Sequence, residues 1–349
     1  MAPQSRVPPV DPDVARSAIA RLIPREVRDP GVWAADIFTA FEALELAPSA
    51  ENTCATLAIT QQESTFQVNP TVPALPAIAS REIVTRATRY HVPEILIDAA
   101  LGLRSTNGQT YRDRIQHARS EKALSDTFED FIGRVPLGKT LFADWNPIRT
   151  GGPMQVSIAF AEKYAAEKRY PYPVPGSIRD EVFTRRGGLY FGIAHLLDYS
   201  APYADTLFRF ADFNAGQYAS RNAAFQNAVS IVSGVALELD GDLLRYDGTP
   251  SKTELALRKA ADAIKLGESG IHRDLELEKE AGFEQSDLYK RVFERADNRR
   301  RRMVPRSMLP RIRLDSPKIT RKLTTEWFAN RVNERYQQCL KRASGARTP

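Results

Sequence analysis

The 349-residue chain has two cysteines, four histidines and three tryptophans, and none of its apolar runs approaches the length of a bilayer span. Its few Cys and His residues are not clustered, which tells against a structural zinc site. Cys54 and Cys339 are left either as separate buried thiols or as a bridge formed in an oxidising compartment. The N-terminus has no signal-peptide pattern of charge, apolar core and small-residue cleavage site. There is no internal repeat and no low-complexity segment. The net charge of +6 is modest, and the basic residues do not form one stripe with interleaved aromatics. That argues against nucleic acid as a partner and fits attraction to an anionic polymer or membrane surface equally well.

What remains is an ordinary globular composition, 42% hydrophobic and 26% charged, long enough for one large domain with extensions. The periodicity predicts a mainly α fold. Residues 1–11 are a proline-rich extended stretch, either a tether of the sort that follows a lipid anchor or a flexible domain leader with no anchor. Helices are predicted over Asp13–Leu22 and Pro30–Leu46, the second with Pro30 in its first turn and an apolar stripe of Val32, Trp33, Ile37, Phe38, Phe41 and Leu44. Ser49 is placed to cap a third helix. That helix carries Cys54, Leu57, Ala58 and Ile59 and delivers Glu63 and Ser64 at its end, with Asn69-Pro70 blocking continuation. A carboxylate at the negative pole of a helix is either a solvated last-turn residue or, in an apolar setting, a group whose pKa rises to that of a general acid.

Two more stretches bear on that choice. Gly151-Gly152-Pro153-Met154-Gln155-Val156-Ser157 opens an apolar helix, and Phe210-Ala211-Asp212-Phe213-Asn214-Ala215-Gly216 closes another, with Gly216 as its C-cap. Glu-Ser, then Gly-Pro-Met-Gln, then Phe-Asn-Ala-Gly, in that order, resembles the three signature motifs of the lytic transglycosylases of the lysozyme-like superfamily. The segment Leu189–Leu197, which contains Tyr190, resembles the helix beside the third motif. The likeness spans roughly residues 50–230 and extends to an uncharacterised family of predicted bacterial lipoproteins carrying such a domain.

The resemblance implies a lysozyme-like core over 12–235, interrupted by a helical insertion at about 70–145. A hairpin plus mostly helical extension follows over 236–341, then a disordered tail over 342–349. It implies cleavage of the MurNAc-β-1,4-GlcNAc bond of peptidoglycan, with Glu63 as acid and then base, and no metal or organic cofactor. Ser64, Met154, Gln155, Ser157, Tyr190, Phe213, Asn214 and Tyr218 are then the substrate-binding residues. Phe213 stands where the family has Tyr, and Tyr218 is the neighbour able to supply the missing hydroxyl. Gly-Pro in place of Gly-Leu stiffens the second motif and removes a donor. The implied partner is a glycan strand, the implied state a monomer. The implied location is the periplasm, with outer-membrane anchoring through a lipid signal removed upstream of this numbering.

Two rival readings accompany this one. A hydrolytic muramidase would need a second carboxylate, for which Asp98, Asp144 and Asp212 are the candidates. A catalytically silent wall-binding scaffold would keep the groove and lose the chemistry. Within the insertion, Ile78–Tyr90 and Pro93–Leu103 are predicted helices and Tyr111–Gly133 one helix or two, forming either a flap along the groove or an external brace. Tyr170–Pro175 is a surface loop, a sugar-stacking platform or plain packing. Leu237–Tyr246 alternates about Asp-Gly as a two-strand hairpin. Helices follow over Lys252–Lys265, Asp274–Glu280, Gln285–Met303 and Lys318–Leu340. Arg299–Arg302 is a solvated helix end or a polymer contact.

Overall fold

The structure is a computed structural model and describes residues 10–134, 146–201, 203–314 and 323–345. It is mainly helical, 63% helix against 4% strand, as the periodicity predicts. The chain forms two compact units. Unit 1 comprises the chain up to Pro48 and Thr60–Gly192, and unit 2 comprises Ser49–Ile59 and the chain from Ile193 onward. No helix among the described residues is long and apolar enough to cross a membrane.

Unit 1 begins with α1 (Pro12–Leu22), whose first turn is capped by Asp11 accepting from the N–H groups of Asp13 and Val14. On it lies α2 (Pro30–Ala43), which buries Trp33, Ile37, Phe38 and Phe41 together with Ala15 and Ile19 of α1. The insertion holds α4 (Leu75–Arg89), α5 (Glu94–Gly102), α6 (Tyr111–His117) and α7 (Glu121–Arg134). The Tyr111–Gly133 stretch is two helices because Ala118 leaves helical backbone and the Ser120 hydroxyl then accepts from Ala123 N–H, starting α7. Thr71 bridges Ser120, and buried Asn146 donates to Ser125 Oγ and Glu129 Oε1, which fastens the returning chain to α7. The hairpin of β1 (Thr150–Gly151) and β2 (Val156–Ser157) leads into α8 (Ile158–Glu167), then α9 (Ile178–Val182) and α10 (Arg185–Leu197). In the Tyr170–Pro175 loop, Tyr170 is packing. Its ring stacks on Phe191 at 5.1 Å and its hydroxyl donates to buried Glu181 at 2.7 Å.

Unit 2 contains α3 (Ala50–Glu63) through Ile59 and α10 from Ile193, then α11 (Leu207–Ala215), capped by Gly216, and α12 (Ala219–Ser233). Farther on come α13 (Lys252–Lys259), α14 (Ala261–Ile264), α15 (Glu268–Leu275), two 3-10 turns, α16 (Asp287–Arg300) and α17 (Thr325–Gly345). One core joins Phe225, Val229 and Val232 of α12 to Leu257, Phe283 and Val292 of the chain beyond 236. Fully buried Arg221 ties the two regions together. It donates to the carbonyls of Glu278 and Glu280 while lying 4.2 Å over the Tyr218 ring and 5.1 Å from Phe283. Helix α17 docks on α11 through Phe210 and Tyr336 and is linked to α3 by a Cys54–Cys339 disulfide, so the two thiols are a bridge.

Several expectations are corrected. Leu237–Tyr246 is an irregular loop, because side chains take the donors a ladder would use. Leu237 N–H binds Ser230 Oγ, Gly241 N–H binds Gln226 Oε1, and the Leu243 and Leu244 N–H groups both bind buried Glu278. The predicted Lys252–Lys265 helix breaks at Ala260, and Asp274–Glu280 is the end of α15 followed by a 3-10 turn. The last helix reaches Gly345, into the stretch expected as disordered tail; its predicted start at 318–322 and residues 346–349 lie outside the described residues. Arg299 donates to the Ile231 carbonyl, so one member of the basic cluster has a structural task.

Candidate active site

Ser49 caps α3 as expected, accepting from Asn52 N–H at 3.2 Å. At the other end Glu63 is half-buried and Ser64 buried. The helix stops earlier than Asn69-Pro70 requires. Ser64 donates both its N–H and its hydroxyl to Thr60 O at 3.1 Å, and Thr65 and Phe66 then take left-handed backbone with φ of 50° and 60°. Two such non-glycine residues in a row cost of order 1 kcal/mol or more each. Burial of Phe66, edge-on to Trp33 at 5.3 Å, offsets part of that cost. Beyond them Asn69 Nδ2 donates to the Phe183 carbonyl at 3.2 Å.

Phe183 also meets the second motif. A Cβ on Gly151 would lie 2.8 Å from Phe183 Cδ1, so only glycine lets the ring sit against this strand. The turn after Gly151 is closed by Gln155 N–H donating to Gly152 O at 3.1 Å, with Gln155 itself left-handed at φ 50°. The Gln155 side chain returns to the same turn, donating to Gly152 O at 3.2 Å and accepting from Thr150 Oγ1 at 3.4 Å. Met154 is fully buried against Gly192, where a Cβ would come 2.5 Å from its sulfur. Pro153 seats on Gly188 in the same way. Pro153 therefore packs on a helix glycine, and Met154 is core of unit 1. The Glu63 loop and the hairpin are held to a common residue within one unit.

The remaining expected binding residues have structural partners. Ser157 caps α8, its hydroxyl accepting from Phe160 N–H at 3.3 Å. Tyr190 is 1% exposed, donates to Arg169 O at 3.2 Å and packs edge-on to Tyr164 and Tyr170, so it is core. Phe213, Asn214 and Tyr218 belong to unit 2. The Phe213 ring packs edge-on to His195 at 5.2 Å, exposed Asn214 accepts from Thr325 Oγ1 at 3.0 Å, and Tyr218 is buried between Tyr199 and Arg221. Burial pushes the Tyr218 phenol above its ordinary pKa and pulls the His195 imidazole down to about 4.

Two of the three candidate second carboxylates are engaged in other contacts. Asp212 is fully buried and accepts from Tyr199 OH, Tyr203 OH and the N–H groups of Tyr218 and Ser220; burial raises its pKa against the pull of these bonds. It organises the turn that carries Asn214 and Tyr218. Asp98 is an exposed partner of Arg112 at 2.9 Å. Asp144 lies outside the described residues. No group of three or more His, Cys, Asp or Glu able to hold a metal occurs among the described residues.

Asn69 and Phe183 carry no motif and were invisible as site-builders. The glycines were a legible signal. Gly188 and Gly192 stand one turn apart in a helix, where glycine costs stability unless another chain approaches closely.

A protein of Escherichia coli (strain K12) bearing the name "Uncharacterized protein YaiW" is 54% identical over 330 residues, covering 94% of this chain and 90% of the relative. No solved structure matches. The family described as "Protein of unknown function (DUF1615)" matches residues 26–342, nearly the whole chain, and the chain belongs to that family.

Proposed function

We propose that this protein is a peptidoglycan lytic transglycosylase built on a lysozyme-like core, acting in the periplasm as a monomer. The reading is supported above all by the junction at Phe183. It fastens the loop after Glu63 and the Gly-Gly-Pro-Met-Gln hairpin together within unit 1. Two of the three motifs thus belong to one constructed site, with a half-buried carboxyl at a helix end.

In the proposed reaction the Glu63 acid protonates the glycosidic oxygen as the C1–O bond breaks, releasing GlcNAc with a free 4-hydroxyl. The Glu63 carboxylate then takes the proton of the muramoyl 6-hydroxyl as that oxygen bonds to C1. The acid is regenerated and a 1,6-anhydro ring closes, with no water consumed. One carboxylate serves both steps because they occur in sequence. The full engagement of Asp212 and the exposed pairing of Asp98 leave no support for a hydrolytic second carboxylate from either. The Gln155 amide, spent on its own turn, shapes the hairpin, and sugar contacts there fall to backbone groups. The Cys54–Cys339 bridge supports export, since disulfides persist in oxidising compartments. Anchoring by a lipid at the N-terminus belongs to the same proposal.

The test is digestion of purified sacculi by the wild type and by Glu63→Gln. The proposal expects soluble muropeptides from the wild type alone. Equal release by both proteins would remove Glu63 from the chemistry.

A further inference from the structure

The insertion in unit 1 forms a partly open cavity of about 310 Å³ between α4, α5, α6 and α7, within the range of small-ligand sites, roughly 300–1,000 Å³. Its walls are almost wholly apolar, with Ile97, Leu101, Ile115, Phe128 and Phe131 among them. The polar groups that reach it are already satisfied. Thr127 donates to Ala123 O, the Tyr111 hydroxyl to Asp130, and Glu82 is paired with Arg86 at 2.6 Å. A polar ligand would find nothing inside to orient it, whereas apolar walls of this kind suit a hydrocarbon.

The outer surface points the same way. Helix α5 (Glu94–Gly102) is apolar yet has no buried residue. Ile95 is 76% exposed and Leu96 57%, and Leu96 also lines the cavity, so the cavity opens onto apolar surface. Val84, Tyr90 and Leu103 are exposed within the same twenty-residue stretch. A patch of this kind on a helix next to an apolar pocket suits a ligand that arrives from an apolar phase. The rim carries one cation beyond the Glu82–Arg86 pair. Arg86 lines the cavity, and Arg89 follows three residues later, one turn along the last part of α4. Among the described residues Arg89 makes no ion pair and is exposed.

We infer that the insertion binds one fatty-acyl chain with an anionic head. The chain enters past Leu96 into the space between α4 and α7, and the head lies at Arg89, beside the Glu82–Arg86 pair. This does not depend on glycan cleavage. It gives the insertion a task of its own.

The full-length protein is titrated with cis-parinaric acid, a fluorescent long-chain fatty acid, and then with palmitate as competitor. The expected result is saturable one-to-one binding that palmitate displaces and that hexadecanol, lacking the charge, displaces at least about tenfold less well. Ala100→Trp, which fills the cavity, should abolish binding while circular dichroism and melting stay unchanged. Ile97→Phe serves the same purpose should the tryptophan disturb folding. Arg89→Gln should erase the preference for acid over alcohol. The exposed Ile95→Ser should bind parinarate as the wild type does. Three results would overturn the inference: no saturable binding, unaltered binding by a folded cavity-filled variant, or uptake by phosphatidylglycerol vesicles that Ile95→Ser abolishes and Ala100→Trp does not. The last would make α5 a membrane-adsorbing surface with an unused cavity behind it.

Discussion

Asn69 donates its side-chain amide to the carbonyl of Phe183 at 3.2 Å, across 114 residues of sequence, and the Phe183 ring closes over Gly151. This relationship holds the loop after Glu63 against the second motif. Asn69→Ala should cost about 1 kcal/mol of stability, the worth of one hydrogen bond. If Glu63 is the reacting group, activity should fall further, roughly ten- to a hundredfold, because small misplacements of a catalytic group are expensive. Urea unfolding and muropeptide release, measured on the same preparation, separate the two effects. A loss of stability with unchanged turnover would mean that the loop positions Glu63 without Asn69.

Gly192→Ala tests the second motif's seat. Its new methyl would meet the Met154 sulfur and Cβ inside unit 1. Overpacking of that kind costs about 1–3 kcal/mol. Adding Met154→Ala should not restore the urea midpoint, because alanine keeps the Met154 Cβ at 2.6 Å and opens a cavity of its own. A single variant as stable as wild type would contradict the tight packing described.

Much of the architecture was legible because it rests on local signals. The Asp11 and Ser49 caps, the Gly216 stop and the apolar stripe of α2 each follow from side chains near the element they define. What was not legible rests on distant partners. The alternation of Leu237–Tyr246 about Asp-Gly has the pattern of a hairpin, but Gln226 and Glu278 claim its backbone donors. Nothing near that stretch announces them. Met154, Ser157 and Tyr190 sit in motif positions that suggest ligand contact, and packing or capping turned out to be their visible tasks.

The disulfide should matter for unit 2. Cys54 and Cys339 are 285 residues apart in sequence, and closing so long a loop restricts the unfolded chain strongly. Cys339→Ser, or reduction of the wild type, should lower stability by about 2–5 kcal/mol in guanidinium unfolding. Reductant should leave the Cys54→Ser, Cys339→Ser double variant unaffected. Identical wild-type curves with and without reductant would show that the bridge contributes nothing.

Acid sensitivity should follow His195. Its folded pKa of about 4 lies below the ordinary 6.5 because burial penalises the imidazolium. The neutral ring's contribution is therefore fully present above pH 6.5 and is lost as pH falls toward 4, where the unfolded chain takes up a proton that the folded one refuses. At 1.36 kcal/mol per decade the loss approaches roughly 3 kcal/mol. Asp212, whose pKa burial raises, acts in the opposite sense and offsets part of it. Stability measured from pH 7 to 4.5 should decline less steeply for His195→Gln than for wild type. Parallel declines would remove His195 as the cause.

The most direct test of the central claim is the chemical form of the muramic acid ends that the protein releases. Fragments from wild-type digestion are treated with borohydride and weighed by mass spectrometry. The account predicts ends that borohydride leaves untouched and that are one water lighter than a free muramic acid, with none from Glu63→Gln. Ends that borohydride reduces would contradict it, since they would show that water rather than the 6-hydroxyl attacked C1.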